Sequence, residues 1–320
     1  MSETKQVHIV TVHYNSPQDI LECWQSLSQS EYDNYTWYIL DNASSESSLH
    51  ELKQKLASIN APYSAIASSE LKKDALVKQH KIHLIEHAKN DGFAAGNNVV
   101  LEYLIKNFED DMVWLLNPDV VLEAAVLRDL VQRSQQHPKA LIGNLIHYYN
   151  TPSKVMYCGG FYVKKWSHGV CDVKEISQLT KVDAIAGASL FARVAAFKEL
   201  GVLPEHYFLY WEETHFCTLA KRKGFDFIVN ASSKIFDKVG SAANTSFTRE
   251  YLYLLNGLRY YHTFYPWRMP VIVLSTIAKL VKAIFTGPSI KRTAIYYGHI
   301  DYFKWFFGVK IDVKKRIAQH

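Results

Sequence analysis

The first half of the chain switches between two hydrophobic periods. Residues 7–12 alternate and are β-branched, which predicts a strand. Residues 16–19 read as a capping box, with Ser16 as N-cap, Pro17 at the first helical position and Asp19 reaching back. Ile20, Trp24 and Leu27 then recur at helical spacing and supply a buried face. Residues 35–40 form a second strand pattern that runs into the polar turn at 41–45, where another helix starts. Two successive strand–turn–helix units predict a mostly parallel, doubly wound α/β sheet.

That layout invites a dinucleotide-binding reading, which requires G-x-G-x-x-G after the first strand. Residues 11–15 are Thr-Val-His-Tyr-Asn, without glycine, so the reading fails at its most specific point. Residues 60–81 form a polar, lysine-containing excursion before a strand at 82–85. The stretch 90–98 (NDGFAAGNN) then combines glycines for close backbone approach with amide side chains for hydrogen bonds. It reads as an ordinary turn or as a ligand loop. The following helix (Val100, Leu104, Phe108) starts there, and helix N-termini favour anions. The acidic triplet 109–111 reads as a solvated loop, because it precedes a buried strand.

That strand, residues 113–116, is apolar throughout, as in parallel sheets covered on both faces. Pro118 ends it, having no N–H to donate, and Asp119 leaves at the sheet edge where open α/β proteins bind ligands. A carboxylate there can hold a hard divalent cation that in turn holds a diphosphate. It can equally cap a helix beginning near Val121, whose face would be Leu122, Val126 and Leu130. Residues 140–180 carry short strand-like pieces, and 182–193 reads as one long, small-residue strand. At 207–213 the adjacent carboxylates Glu212 and Glu213 follow an aromatic run and precede a short helix ending at Gly224. A carboxylate on an apolar wall can serve as a general base; beside a helix N-terminus it can also merely complement the dipole.

Composition narrows the class. The 320 residues, 48% hydrophobic and 21% charged, describe a globular chain with a net charge of +5. That charge lacks the concentrated footprint of a nucleic-acid binder, so none is expected as a partner. Four dispersed cysteines fit neither a zinc site nor a disulfide scaffold, and the start of the chain lacks a signal-peptide pattern. Free thiols and a cytoplasmic location are expected.

Taken in order, Thr11–Asn15, Asp41–Ser44, Asn90–Asn98, Leu116–Asp119, Gly187–Arg193 and Phe208–Glu213 resemble the family 2 glycosyltransferases with the GT-A fold, particularly the rhamnosyltransferase-like branch. The likeness spans roughly residues 7 to 260. It implies inverting transfer of a sugar from a nucleoside diphosphate sugar, dTDP or UDP, to a saccharide or lipid-linked acceptor in surface polysaccharide synthesis. Rhamnosyl is favoured, with galactosyl or galactofuranosyl as alternatives. Thr11 and Asp41 would meet base and ribose, with Asn15 and Asn42 on the same turns. Asn90, Gly92, Phe93, Gly96, Asn97 and Asn117 would line the donor pocket. Asp119 would hold Mg²⁺ or Mn²⁺, with Asp237 as a further ligand, and Glu213 would be the base, with Glu212 beside it.

Three positions depart from the family pattern: His215 stands where Asp is usual, Leu219 where Arg is usual, and Asp237 where His precedes Gly-Ser. His215 and the missing His near Gly240 keep open a glycan- or nucleotide-binding module that has lost catalysis. A carboxylate-pair hydrolase fits poorly, since such pairs flank the bond and are not sequence neighbours.

Residues 1–250 are expected as the catalytic domain and 251–320 as a helical extension. There, aromatics interleave with Lys279, Lys282, Lys291 and a basic tail on helices read as too short to span. This predicts peripheral contact with the inner face of the plasma membrane. Packing on the catalytic domain or a homodimer contact would use the same surface.

Overall fold

A computed structural model describes residues 5–59, 61–71, 76, 80–157, 159–172, 182–238 and 246–320. Cys158, residues 60, 72–75 and 77–79 of the lysine-containing excursion and the Gly240–Ser241 pair lie outside the described residues. The chain opens with β1 (Val7–His13), α1 (Pro17–Leu27), β2 (Tyr35–Asn42), α2 (Glu46–Ser58), β3 (Tyr63–Ala67) and β4 (Ile82–His87). Next come α3 (Phe93–Asn107), β5 (Met112–Leu116), β6 (Val120–Leu122), α4 (Val126–Gln136) and β7 (Ala140–Tyr148). Then follow β8 (Thr151–Tyr157), β9 (Gly160–Val163), β10 (Val170–Asp172), β11 (Ala184–Ile185), β12 (Ser189–Arg193), α5 (Val194–Leu200) and α6 (Glu212–Arg222). The chain finishes with β13 (Asp226–Asp237), α7 (Phe247–Phe264), α8 (Met269–Thr286), α9 (Ser289–Phe306) and α10 (Val313–Ala318).

The central sheet runs β3-β4-β2-β1-β5-β12-β7-β13-β6, with β8 beside β7. Pairings from β3 through β5 are parallel, as expected, and so is β7 with β13. The inserted β12 and the edge strand β6 run antiparallel. Alternate residues of each strand feed two separate cores. Val10, Tyr38, Leu40, Val113 and Leu115 pack on the α3 side, and Ile9, Trp37, Ile39, Trp114 and Leu116 on the α1 side. Burial on both faces is why residues 113–116 read as a continuous apolar run.

Several expectations are corrected. Ser16 makes no side-chain cap bond; its carbonyl accepts from the Asp19 amide, and the Asp19 carboxylate pairs instead with Lys238. No helix begins at Val121. Leu122 lies on β6 opposite Ile235, and the helix starts at Val126. Residues 182–193 are divided by a turn into β11 and β12, because Ala186 and Asn117 bridge to neighbouring loops. Inside the excursion, β3 adds an edge strand to β4.

The C-terminal helices build a third apolar cluster around Tyr251, Leu255, Leu258, Tyr260 and Tyr261 on α7. The reading of short helices is also corrected. Pro266–Thr286, 21 residues with mean hydropathy 1.7, is long and apolar enough to cross a membrane, and 17% of its most apolar window is buried. Lys279 and Lys282 break the run in sequence without interrupting the helix.

Candidate active site

The parallel strands β1, β2, β4 and β5 all end at one edge, the usual ligand side of such sheets. At the ends of β1 and β2, His13 Nδ1 and Asp41 Oδ1 are 2.8 Å apart, and both residues are buried. The Ser44 amide donates to Asp41 Oδ2 at 3.3 Å, and the Ser16 amide donates to His13 Nε2 at 3.1 Å. Burial by itself would raise the Asp41 pKa, but the bonds from His13 and Ser44 outweigh it and hold the carboxyl below its usual range. Both Asp41 oxygens are therefore engaged by protein groups, and His13 is the partner the sequence reading missed. Asn15 sits on the exposed turn above, its amide donating to Ser44 Oγ and its Oδ1 accepting from the Ser45 amide.

Asn42, also buried, donates from Nδ2 to Asn90 Oδ1 and to the Gly92 carbonyl, both at 3.1 Å. Its Oδ1 is buried without a hydrogen-bond partner. Gly92 has φ +94°, and a Cβ there would lie 2.1 Å from the Phe208 carbonyl oxygen, so only glycine fits. That carbonyl accepts from the Phe93 amide at 2.9 Å. The first amide of α3 is thus spent on the 208–211 loop and not left for an anion.

Three residues expected at the donor lie inside the protein. Thr11 is fully buried in the sheet, where its Oγ1 accepts from Trp37 Nε1 at 2.8 Å. Gly96 is a packing glycine: a Cβ there would press on Val12 and Leu40 at 3.1–3.3 Å. Asn97 is buried in α3 with its Nδ2 donating to the Phe93 carbonyl.

The second corner is the loop entering α6. Tyr210 and Trp211 both adopt left-handed backbone, with φ +67° and +78°, a strained arrangement for bulky side chains. It is held from outside. Asn256 Nδ2 of α7 donates to the Leu209 carbonyl at 2.8 Å, and Trp211 Nε1 donates to the Tyr253 carbonyl at 2.9 Å. The loop places Glu212 and Glu213 at the first turn of α6. Glu212 is buried with Oε2 unpartnered; burial and the neighbouring Glu213 charge push its pKa well up. Burial also raises Glu213, against opposing bonds from Thr214 and the backbone.

Glu213 forms part of the wall of two adjoining cavities. One, of about 280 Å³, is bounded by Phe161, Gly187, Tyr210 and Tyr253. The other, of about 150 Å³, is bounded by Phe93, Asn117, Ala188 and Glu212. The structure therefore brings Phe93, Asn117, Glu212 and Glu213 together. His215 is drawn away: its Nδ1 lies 3.2 Å from the Tyr207 hydroxyl, and burial beside His206 and Arg222 pushes its pKa down to about 4. It is a neutral packing ring.

Asp119 lies beyond β5, half-buried, with Oδ1 lacking any partner. Burial raises its pKa, Asp19 adds to the rise and Lys238 opposes it. Its carbonyl accepts from the Lys238 amide, which sets it beside the end of β13, where Asp237 is buried opposite Val120. Among the described residues no three His, Cys, Asp or Glu side chains converge as a metal cluster. An orphaned carboxylate oxygen nevertheless fits a hard cation completed by ligand oxygens.

A hexosyltransferase of low-salt glycan biosynthesis, Agl10 of Haloferax volcanii, is 25% identical over 202 residues; the match takes in 59% of this chain and 62% of that protein. Among solved structures, GalNAc-T7 with UDP, GalNAc and Mn²⁺ superposes with TM-score 0.63 at 13% identity, over 100% of this chain and 58% of that one. The Pyrobaculum calidifontis mannosyltransferase PcManGT with GDP-Man and Mn²⁺ gives 0.55 at 13% identity, over 95% and 84%. These likenesses show the GT-A fold. The model of "Glycosyl transferase family 2" matches residues 8–201, from the first strand through α5, and the chain belongs to that family.

Proposed function

We propose that the protein is an inverting, nucleotide-sugar-dependent hexosyltransferase acting on a saccharide or lipid-linked saccharide. The observation that carries this is Glu213 on the shared wall of two cavities at the sheet's ligand edge, beside Asn117 and Phe93. Inversion in one displacement requires a base facing away from the leaving group. Glu213 takes the acceptor hydroxyl's proton, and its raised proton affinity suits a base that must later release that proton near neutrality. Buried Glu212, whose own proton affinity is raised, stands next to it. Asn117 and Phe93 border the smaller cavity, where the donor sugar would sit, and the His13–Asp41 pair fixes the turn above it.

Asp119, with Asp237 near it, would hold Mg²⁺ or Mn²⁺, which neutralises the departing diphosphate when bound. The order of the sequence motifs supports a rhamnosyl donor, dTDP-rhamnose, ahead of a galactosyl or galactofuranosyl one. Residues 1–250 form the catalytic unit. Residues 251–320 extend it toward a membrane surface, and α7 also braces the catalytic loop.

The test is Glu213→Gln with nucleotide titration. Sugar transfer should fall by roughly 10²–10⁴-fold, while calorimetric binding of dTDP or UDP with Mn²⁺ stays near the wild-type value. Surviving turnover would refute Glu213 as the base. Absence of nucleotide binding would leave a glycan-binding module of the same fold.

A further inference from the structure

A cavity of about 460 Å³ lies among α7, α8 and α9, away from the sheet edge. Its wall carries Lys279, Lys282 and Lys291 against a single acid, Glu250. Lys164 stands close enough to act on Lys279 as well. Lys291 Nζ is 3.9 Å from Glu250 Oε2, and Lys279 Nζ donates to the His168 carbonyl at 2.7 Å. One carboxylate thus shares the wall with three ammonium groups, and a fourth, on Lys164, lies near Lys279. The 18-residue α9 begins at the same wall, at Gly287 and Pro288, without a side-chain cap. Its positive end adds to the lysines, and a cationic cavity at a helix start is suited to a phosphoryl group.

Two further features fix the source of that group. Leu274, Ile277, Val281 and Phe285 recur at three- and four-residue spacing on α8, and all are exposed, Phe285 at 81%. The opposite side of α8 is docked: Ile272, Thr276 and Ala283 are buried, and Thr276 Oγ1 lies 2.9 Å from His299 Nε2. A helix with one face held by protein, lysines at the cavity and an apolar outer stripe has the form of an interfacial element. Tyr253 lines both this cavity and the one at Glu213.

We propose that the cavity seats the phosphoryl group of a membrane lipid while the outer stripe of α8 enters the acyl boundary. A phosphorylated lipid acceptor held there would reach Glu213 past Tyr253; that second half rests on the transferase reading.

The experiment is vesicle flotation of the full chain. It uses phosphatidylcholine alone, phosphatidylcholine with phosphatidic acid, and the latter with inorganic pyrophosphate as competitor. The protein should float only with phosphatidic acid and be released by pyrophosphate. Lys282→Gln with Lys291→Gln should weaken flotation roughly thirty-fold, the effect of two surface charges, and Leu274→Ser with Phe285→Ser should abolish it. Equal flotation on phosphatidylcholine alone, or undiminished flotation of the lysine variant, would overturn the phosphoryl site. Pyrophosphate binding without flotation would overturn the lipid source. Nucleotide titration of the same preparations reports folding and the donor site independently. Its failure with flotation intact would sink only the transferase reading.

Discussion

Asp41 and Glu212 stand at the same end of the molecule, both buried, yet their proton affinities shift in opposite directions. Asp41 is met by His13 and Ser44 at a turn whose small residues Asn15 and Ala43 are also left-handed, and its proton affinity is lowered. Glu212 has an oxygen without a partner, a like charge next to it and two left-handed aromatic residues before it, and its affinity is raised. The first corner is a satisfied network that fixes a turn. The second stores unfavourable electrostatics and backbone strain that α7 and the aromatic cluster hold in place, as is usual where chemistry is done.

The comparison breaks most visibly at Glu213, where glutamine should remove the chemistry and leave the Asp41 corner intact. Next in size is Gly92→Ala. A Cβ meeting the Phe208 carbonyl at 2.1 Å, at φ +94°, should cost roughly 3 kcal/mol of stability and unseat the catalytic loop. Denaturant unfolding together with transfer rates checks this, and an unchanged midpoint would contradict the close Gly92–Phe208 approach.

Opposite pH dependences follow at the two acids. The lowered pKa of Asp41 contributes stability that is present above its ordinary value near 3.8 and lost as pH falls through the folded value. Asp41→Asn should therefore cost about 2 kcal/mol near neutrality and nothing in strong acid. Glu212 behaves in reverse: its raised pKa contributes stability fully present below 4.5 and lost as pH rises through the folded value. Glu212→Gln should relieve that loss, gaining about 1 kcal/mol at high pH. Denaturation midpoints across pH, taken for both variants, should diverge in these opposite directions; parallel curves would erase the distinction.

The sheet was legible from short strand patterns: residues 113–116, buried on both faces, as an apolar run, 7–12 as an alternating β-branched stretch, and 35–40 and 82–85 as further strands. The edge strand β6 was not. Val120–Leu122 is too short to show a period, and only its pairing with Ile235–Asp237 makes it a strand. Within the candidate site, the Glu213, Asn117 and Gly92 positions were marked by motif order. Thr11 and Asn97 were marked the same way, yet the structure gives them to Trp37 and to the Phe93 carbonyl. Local sequence does not reveal whether a polar side chain at a strand end or helix start faces a cavity or a neighbour.

By itself the sequence determined the parallel α/β sheet, the family, and the carboxylates available at the sheet edge, because period and motif order are properties of the chain. Tertiary structure alone decided that His13 engages the Asp41 carboxyl and that Asn256 and Tyr253 hold a strained loop. It also gathered distant lysines of the C-terminal helices around one cavity. Those outcomes depend on distances between segments far apart in the chain, and burial and charge act through those distances.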